Sequence, residues 1–516
     1  MDDAQRDVVA FLRNPSSYPP GAGPVGIIET HASIVFLAGN RAYKLKRAVK
    51  YPYLDFSTVE RRRAACAAEL MLNRRTAPQL YLEVRAISRG PDGAIFWGRP
   101  DEDHGGEAID FVVVMRRFDQ AELLEHVAQA GGLSPSLLYA LTAHIVAFHE
   151  KAEPRPDRGG AAAMVAVSET NIRVLRDCRA AGFDPAQIDR LENGLNGVLS
   201  RLGRLLDERR QAGRVRRCHG DLHLRNICLV DGRPLLFDCV EFSEELASID
   251  VLYDLAFLLM DLGHRGHWDL ANLVLNRYLD LTEEDDGLAL MPLFLSLRAA
   301  IRAHVTATMA EHGWGSGAPT AAFAEARNYL DEAEAALLPQ PARLVAVGGL
   351  SGSGKSALAA GLAPELGRRP GARVLRSDVL RKLRFGTEPE SPLPPEAYTA
   401  EVTTQVYQDL CTRAAAALSA GYSAVIDAVA LREEERGSFA AVAAAAGVPF
   451  TGLWLEAPVE TMRARIGGRR GDASDASAEI LNHQLAHNPG ALDWIAVDAG
   501  GDPDATLAAA RRAMMH

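Results

Sequence analysis

The sequence lacks paired cysteines, an excess of positive charge and any long uninterrupted apolar run. Its six cysteines, Cys66, Cys178, Cys218, Cys228, Cys239 and Cys411, stand singly with no Cys-x-x-Cys pair, which excludes the common zinc spacings and predicts reduced thiols. Acidic residues outnumber basic ones, 67 to 56, for a formal net charge of -11. That balance argues against general nucleic-acid or anionic-membrane binding and favours small-molecule partners. No stretch is expected to reach the roughly 18 apolar residues that suggest a membrane span. The opening Met-Asp-Asp-Ala-Gln-Arg carries no basic leader, so a cytoplasmic protein is expected.

What is present is length and two dense motifs. A chain of 516 residues predicts about three to four structural units. The sharper motif is Gly348-Gly-Leu-Ser-Gly-Ser-Gly-Lys-Ser356, behind the apolar run Arg343-Leu-Val-Ala-Val347 and ahead of the helical Ala357-Leu-Ala-Ala-Gly-Leu-Ala363. Strand, glycine-rich loop and helix in that order make a P-loop, whose backbone N-H groups wrap a di- or triphosphate. Gly349, Ser351, Gly352, Ser353 and Gly354 supply the cradle. Lys355 reaches the β- and γ-phosphates of ATP, and the Ser356 hydroxyl joins the shell of a Mg²⁺ ion.

After the loop, strands at Arg373–Arg376, Ser423–Ile426, Phe450–Leu455 and Trp494–Val497 alternate with helices. That alternation predicts an α/β three-layer P-loop NTPase domain with a parallel sheet over residues 342–516. Ligands bind at the carboxyl ends of such strands, which singles out Asp378 and Asp427, one to orient or deprotonate an acceptor and the other to reach Mg²⁺. Ser377-Asp-Val-Leu-Arg381 and Val425-Ile-Asp427 resemble stretches of P-loop kinases of the zeta-toxin, gluconate-kinase and polynucleotide-kinase type. The resemblance implies Asp378 as the acceptor-side acid and Arg381 as a phosphate or substrate contact. In Met462-Arg-Ala-Arg-Ile-Gly-Gly-Arg-Arg470 it implies a basic lid, with Arg465 and Arg469 spreading the charge of the transferring phosphate and Gly471–Ser477 as its tip.

The residues before the loop read as a separate domain, 1–338, ending near Leu337-Leu-Pro-Gln-Pro341. Its small lobe, about 27–117, is strand-rich around one helix from Thr58 to Arg75. Its large lobe, about 118–338, is helical apart from a loop and hairpin. In that loop and hairpin Asp221, Asn226 and Asp238 are oxygen donors; two brought together across a hairpin can hold Mg²⁺ while a third takes a hydroxyl proton. His149, His219 and His223 are expected to pack or hydrogen-bond rather than react. The acidic run Thr282-Glu-Glu-Asp-Asp-Gly287 is expected to be a solvated turn.

His219-Gly-Asp-Leu-His-Leu-Arg-Asn226 followed by Leu236-Phe-Asp238 resembles the catalytic loop and metal aspartate of the aminoglycoside phosphotransferase family, small-molecule kinases with the α+β bilobal protein-kinase-like fold. The resemblance implies Asp221 as catalytic base and Asn226 and Asp238 as Mg²⁺ ligands. It implies Lys44 on the ATP phosphates, paired with Glu69, with Lys46 on the same strand face as the competing choice. Met115 and Arg116 would meet adenine, and Asp254 would support the loop from below. Glu241 could join the metal site or face the substrate. The chain departs from the family at Leu224-Arg225, where Pro-Gly is frequent, and at Arg47–Phe56, which lengthens the link after the lysine strand. Together the two motifs predict two fused ATP-dependent kinase modules acting on small hydroxylated metabolites.

Overall fold

The computed structural model describes residues 3–30, 32–51, 54–99, 106–313, 318–468 and 473–514. Two compact units emerge: Met1–Asp261 with Leu297–Ala333, and Leu262–Ser296 with Glu334–His516.

In the first unit, β1 (Gly26–Glu29), β2 (Ser33–Ala38) and β3 (Arg41–Lys46) precede a small ribbon of β4 (Lys50–Tyr51) and β5 (Leu54–Asp55). Strands β6 (Tyr81–Arg89), β7 (Ile95–Gly98) and β8 (Glu107–Arg116) complete a six-stranded antiparallel sheet ordered β1-β2-β3-β8-β6-β7. β3 lies inside the sheet, with Lys44 opposite Val35 on β2 and Val113 on β8. Period-two alternation buries Tyr43 and Leu45 on one face with Phe36, Val112 and Val114. It sends Ala42 to the other with Val113, Met115 and Tyr81, the face that also carries Lys44 and Lys46. The helix Val59–Asn73 covers that second face; its Thr58 side chain accepts the Arg61 N-H at 3.3 Å, an N-cap.

The helices include Pro135–Lys151, opened by Ser134, Gly160–Asp177, Pro185–Gln211, Val251–His264 and Pro319–Leu337. Gly160–Asp177 and Pro319–Leu337 open on alanine-rich turns, which favour helix without showing an apolar period. Among these helices sit short strands β9 (Val215–Arg217), β10 (Ile227–Val230), β11 (Arg233–Leu236) and β12 (Ser248–Asp250). β10 and β11 form the expected hairpin, and its turn residues Asp231 and Gly232 both have positive φ, 52° and 75°. Such a turn matches the twist of the strands it joins.

In the second unit β13 (Leu344–Gly349), β14 (Arg373–Arg376), β15 (Ala424–Asp427), β16 (Phe450–Glu456) and β17 (Ile495–Asp498) form a parallel sheet ordered β14-β15-β13-β16-β17. β14 is an edge strand, and its open backbone is met by side chains from the helix Trp268–Thr282. Asn276 Oδ1 accepts the Val374 N-H at 2.7 Å, while Asn272 and Asn276 both donate to the Ala372 carbonyl, at 3.0 and 3.1 Å. Buried Arg373 pairs with Asp280 and Asp285, each at 2.7 Å. Leu262–Ser296 group with the second unit, while by sequence they are read as part of the large lobe, 118–338. The Arg373 ion pairs also correct the reading of Thr282–Gly287 as a solvated turn: Asp285 binds Arg373 and Arg413, and Glu284 is 2% exposed. A further correction concerns apolar length. Asp285–Glu311 is long and apolar enough to cross a membrane by length and composition, although 72% of that window is buried inside the protein.

Candidate functional sites

The first site gathers on the face of β3 opposite the Tyr43 side. Lys44 Nζ lies 2.8 Å from Glu69 Oε1 and 2.5 Å from Asp238 Oδ1. Lys46 Nζ contacts the other oxygen of Glu69 and also Glu241. Burial opposes charge on Lys44, but Asp238 and Glu69 overcome it and raise the group well above the usual lysine range. Burial likewise pushes Glu69 upward, and the two lysines together bring it below the ordinary carboxylate range. Glu241, expected near metal or substrate, is instead sealed beneath Lys46 with 6% of its side chain exposed.

Asp238 follows β11 with φ of 63°, a left-handed conformation that aspartate tolerates better than most residues. Two residues that the sequence did not single out hold it there. The Tyr81 hydroxyl accepts the Asp238 N-H at 3.1 Å, and Asn73 Oδ1 accepts the Cys239 N-H at 2.9 Å. Asn73 sits one helical turn after Glu69 and donates to its carbonyl, so an asparagine four residues past the glutamate was the available signal.

The loop before β10 brings Asp221 and Asn226 together: Asn226 Nδ2 donates to Asp221 Oδ2 at 2.8 Å and to its carbonyl at 2.9 Å. This leaves the amide oxygen of Asn226 for another partner. Burial tends to raise Asp221, yet His223, His219 and Arg302 outweigh it and hold the acid below its ordinary range. Asp254 supports the loop as expected, accepting the His219 and Gly220 N-H groups at 3.0 and 2.9 Å and meeting His149 Nε2 at 3.1 Å. His149 and Asp254 also lie close to Cys218, but the carboxylate of Asp254 is already occupied by those backbone donors. Arg116 forks onto Asp231 at 3.2 and 3.1 Å, and Met115 pairs with Ala42 across β8 and β3. The Phe237 N-H donates to the Asn226 carbonyl at 3.0 Å, so the backbone carries Asp238 one residue past the partner of Asn226; Asn226, Asp221 and Asp238 are oxygen donors of the kind a hard cation such as Mg²⁺ takes.

The second site is built from one loop. Gly349 has φ of 134°, and a Cβ there would come within 2.8 Å of the Leu455 carbonyl; Gly352 has φ of 83°, and a Cβ there would sit 2.5 Å from the Met462 carbonyl. Only glycine fits both the dihedral and the space. The helix Lys355–Leu362 starts at once, with Gly354 at its N-cap position. The Ser351 N-H is met by Gln484 Oε1 at 2.8 Å, Lys355 Nζ rests on the Leu350 carbonyl at 3.0 Å, and buried Ser353 Oγ has no hydrogen-bond partner among the described residues. A buried, unpartnered hydroxyl inside a loop of this shape fits a phosphate-bearing ligand.

Ser356 Oγ, in the first turn of the helix Lys355–Leu362, donates to Oδ2 of Asp427, the last residue of β15, at 2.6 Å, two oxygens that suit Mg²⁺. Arg376 joins them, 3.2 Å from Ser356 Oγ and 3.3 Å from Asp427 Oδ2. Sequence reasoning missed it, although the last residue of a strand before Ser377-Asp378 was open to inspection. Burial and the charge of Asp427 raise Asp378 above the usual aspartate range. Ser356, Asp378 and Asp427 line a cavity of about 1020 Å³ with Lys355, Arg381 and Arg465 on its wall.

Arg381 spends two donors inside the protein, on the Ala397 carbonyl at 2.6 Å and Thr403 Oγ1 at 3.3 Å. Arg465 donates to the carbonyls of Ser353, Ala499 and Gly501 at 3.2, 2.8 and 2.8 Å, so in this structure it staples the phosphate loop to the segment after β17. Arg463 binds Glu460 and Asn482. Arg469, Arg470 and the start of the expected lid tip lie outside the described residues. Beyond them Asp475 is tied to Lys382 at 3.0 Å and to Tyr398.

Residues 55–290 match the family described as "Phosphotransferase enzyme family", and residues 344–489 match one described as "AAA domain". An uncharacterized protein of Mycobacterium tuberculosis and one of Mycobacterium bovis are each 32% identical over 477 residues, covering 91% of this chain and 91% of theirs. Among solved structures, a sugar kinase from Janibacter sp. is 27% identical over 34% of this chain and 94% of its own, with a TM-score of 0.26. A choline/ethanolamine kinase family protein from Mesorhizobium loti is 15% identical over 65% of this chain and 99% of its own, with a TM-score of 0.37.

Proposed function

Because the chain belongs to the same family as those mycobacterial proteins, with a phosphotransferase-type domain followed by a P-loop kinase domain, we propose that each domain moves the γ-phosphate of ATP to a hydroxyl of a small metabolite. The observation that carries the reading is a lysine beside acids in each domain: Lys44 on Asp238, with the Asp221–Asn226 pair in the loop before the same hairpin, and Lys355 lining one cavity with Ser356, Asp378 and Asp427. Phosphoryl transfer needs little beyond positioning and charge neutralisation, which both sets supply.

In the first site Lys44 and Glu69 bind and orient the nucleotide, with Met115 and Arg116 along its base. Asn226 and Asp238 hold Mg²⁺, and Asp221 accepts the acceptor's hydroxyl proton. In the second the Gly349–Ser356 loop wraps the phosphates, Ser356 and Asp427 hold Mg²⁺, and Asp378 receives the proton. Arg381 and the lid arginines Arg465 and Arg469 act on the acceptor or the transferring phosphate. Mg²⁺, when bound, screens the charge of the phosphates.

A small acceptor suits the second cavity, since about 1020 Å³ exceeds what a triphosphate alone fills yet is of the size that encloses a small ligand. The free state of all six cysteines agrees with a reducing, cytoplasmic setting. Paired variants test the reading. Asp221→Asn should abolish only ATP consumption at the first site, and Lys355→Ala only that at the second, each stimulated by its own compound from a metabolite panel. Tight ATP binding by the wild-type protein with no turnover under any acceptor would replace the enzyme with a nucleotide sensor.

A further inference from the structure

Glu69 is a fully buried carboxylate with two lysines on it, one per oxygen. A single lysine would neutralise it, so the second needs an account. The two ends of the chain Asp238, Lys44, Glu69, Lys46, Glu241 differ in access. At the Lys44 end the lysine side chain is 13% exposed and Asp238 is 42% exposed. At the other, Lys46 is 3% and Glu241 6% exposed, and the Lys46 ammonium lies 5.2 Å from the centre of the Phe56 ring. The closed end is also anchored through the backbone. Gln5 Nε2 donates to the Lys46 carbonyl at 2.9 Å and to Asp110 at 2.7 Å, and Asp110 in turn binds Arg62 on the helix that carries Glu69, at 2.7 Å.

We propose that Lys46 and Glu241 are positioning residues of the first site: they fix Glu69 on the oxygen that Lys44 does not use, so that Lys44 can leave Asp238 for the nucleotide phosphates when Mg²⁺ binds. The proposal rests on the phosphotransferase reading of that site. Asp238 would hold the cation in place of the Lys44 ammonium, since like charges repel, and Lys44 would then keep only Glu69. If Glu69 had one partner, its second buried oxygen would be unpaired and would draw Lys44 across both oxygens, away from the phosphates. With Lys46 held by Glu241, the carboxylate stays put and Lys44 retains free N-H donors. Glu241 is thereby excluded as a metal ligand or acceptor contact, because its charge is spent on Lys46.

The test uses the full chain carrying Lys355→Ala, so that only the first site reports ATP binding, followed by calorimetric titration with ATP in the presence and absence of Mg²⁺. Removing one partner alone strands a buried charge and threatens folding, so the main variant is the pair Lys46→Met with Glu241→Gln, checked by thermal unfolding. The expected result is a loss of about tenfold or more in the Mg²⁺-dependent gain in ATP affinity, with metal-free ATP affinity changed by less than about threefold. Lys46→Arg, which keeps the charge, should preserve most of the gain. An unchanged gain in a folded double variant overturns the proposal. Lys44→Met and Asp238→Asn are the reference variants: if neither alters Mg²⁺-ATP binding, the nucleotide reading of the site fails, whatever the double variant shows.

Discussion

The two sites solve the same chemical problem with different materials. The first draws on side chains from distant parts of the chain: Lys44 is balanced by Glu69 and Asp238 as ion pairs, and Asn226 is hydrogen-bonded to Asp221. The second is shaped by one contiguous loop, Gly349–Ser356, whose Gly349 and Gly352 have no room for a Cβ, with Ser356 set on Asp427 beside it. A site made of buried charges is sensitive to the loss of any one partner. A site made of backbone is sensitive to anything that enlarges a glycine. That contrast sets which substitutions should silence which half.

The largest expected effect is Asp221→Asn, which removes a general base and should lower first-site ATP consumption by about 10² to 10⁴-fold while the second site continues; equal loss at both sites would mean the halves do not work separately. Next is Gly352→Ala. Its Cβ would sit 2.5 Å from the Met462 carbonyl at φ of 83°, strain of about 1–3 kcal/mol before the clash is counted. Second-site ATP affinity, read by dialysis in a Lys44→Met background that removes the nucleotide lysine of the first site, should fall at least about tenfold. Unchanged affinity would show that the loop shape is not what binds.

Asn276→Ala tests how far the second site depends on the edge of its sheet. The change strands the Val374 N-H and should cost about 1–3 kcal/mol of stability, measured by denaturant unfolding of the full chain, with slower second-site turnover because β14 leads directly to Asp378. The smallest effect is in pH dependence. A carboxylate base works when ionised, so a raised group loses activity at higher pH than a lowered one. Asp378 is raised by burial and by Asp427, while Asp221, despite burial, is lowered by His223 and its neighbours. ATP consumption as pH falls should therefore fail first at the second site, measured in Asp221→Asn protein, and later at the first, measured in Lys355→Ala protein. The reverse order would break the comparison.

Much of this was readable in advance because the motifs are local. Gly349 to Ser356 are contiguous, and Asp221, Asn226 and Asp238 lie within one loop and hairpin, so their spacing carries their geometry. The strands of both sheets followed from short apolar or alternating runs, as at Ile34, Phe36, Tyr43 and Leu45. What escaped were residues whose roles depend on a partner far along the chain. Tyr81 and Asn73 hold the backbone at Asp238 and Cys239, Arg376 joins Ser356 and Asp427, and Glu241 meets Lys46 in place of a ligand. Arg465, which the kinase resemblance implies as a lid cation, donates to backbone carbonyls far along the chain.

The sequence by itself determined the two folds and the phosphotransferase class, because a phosphate loop and a catalytic loop with its hairpin are properties of a few neighbouring residues. Only the tertiary structure decided how the buried charges divide: Lys44 takes Glu69 and Asp238, Lys46 takes Glu69 and Glu241, and Asp280 and Asp285 take Arg373. The reason is that a buried ion must find a counter-ion within a few ångströms, and folding, not distance along the chain, sets which one is there.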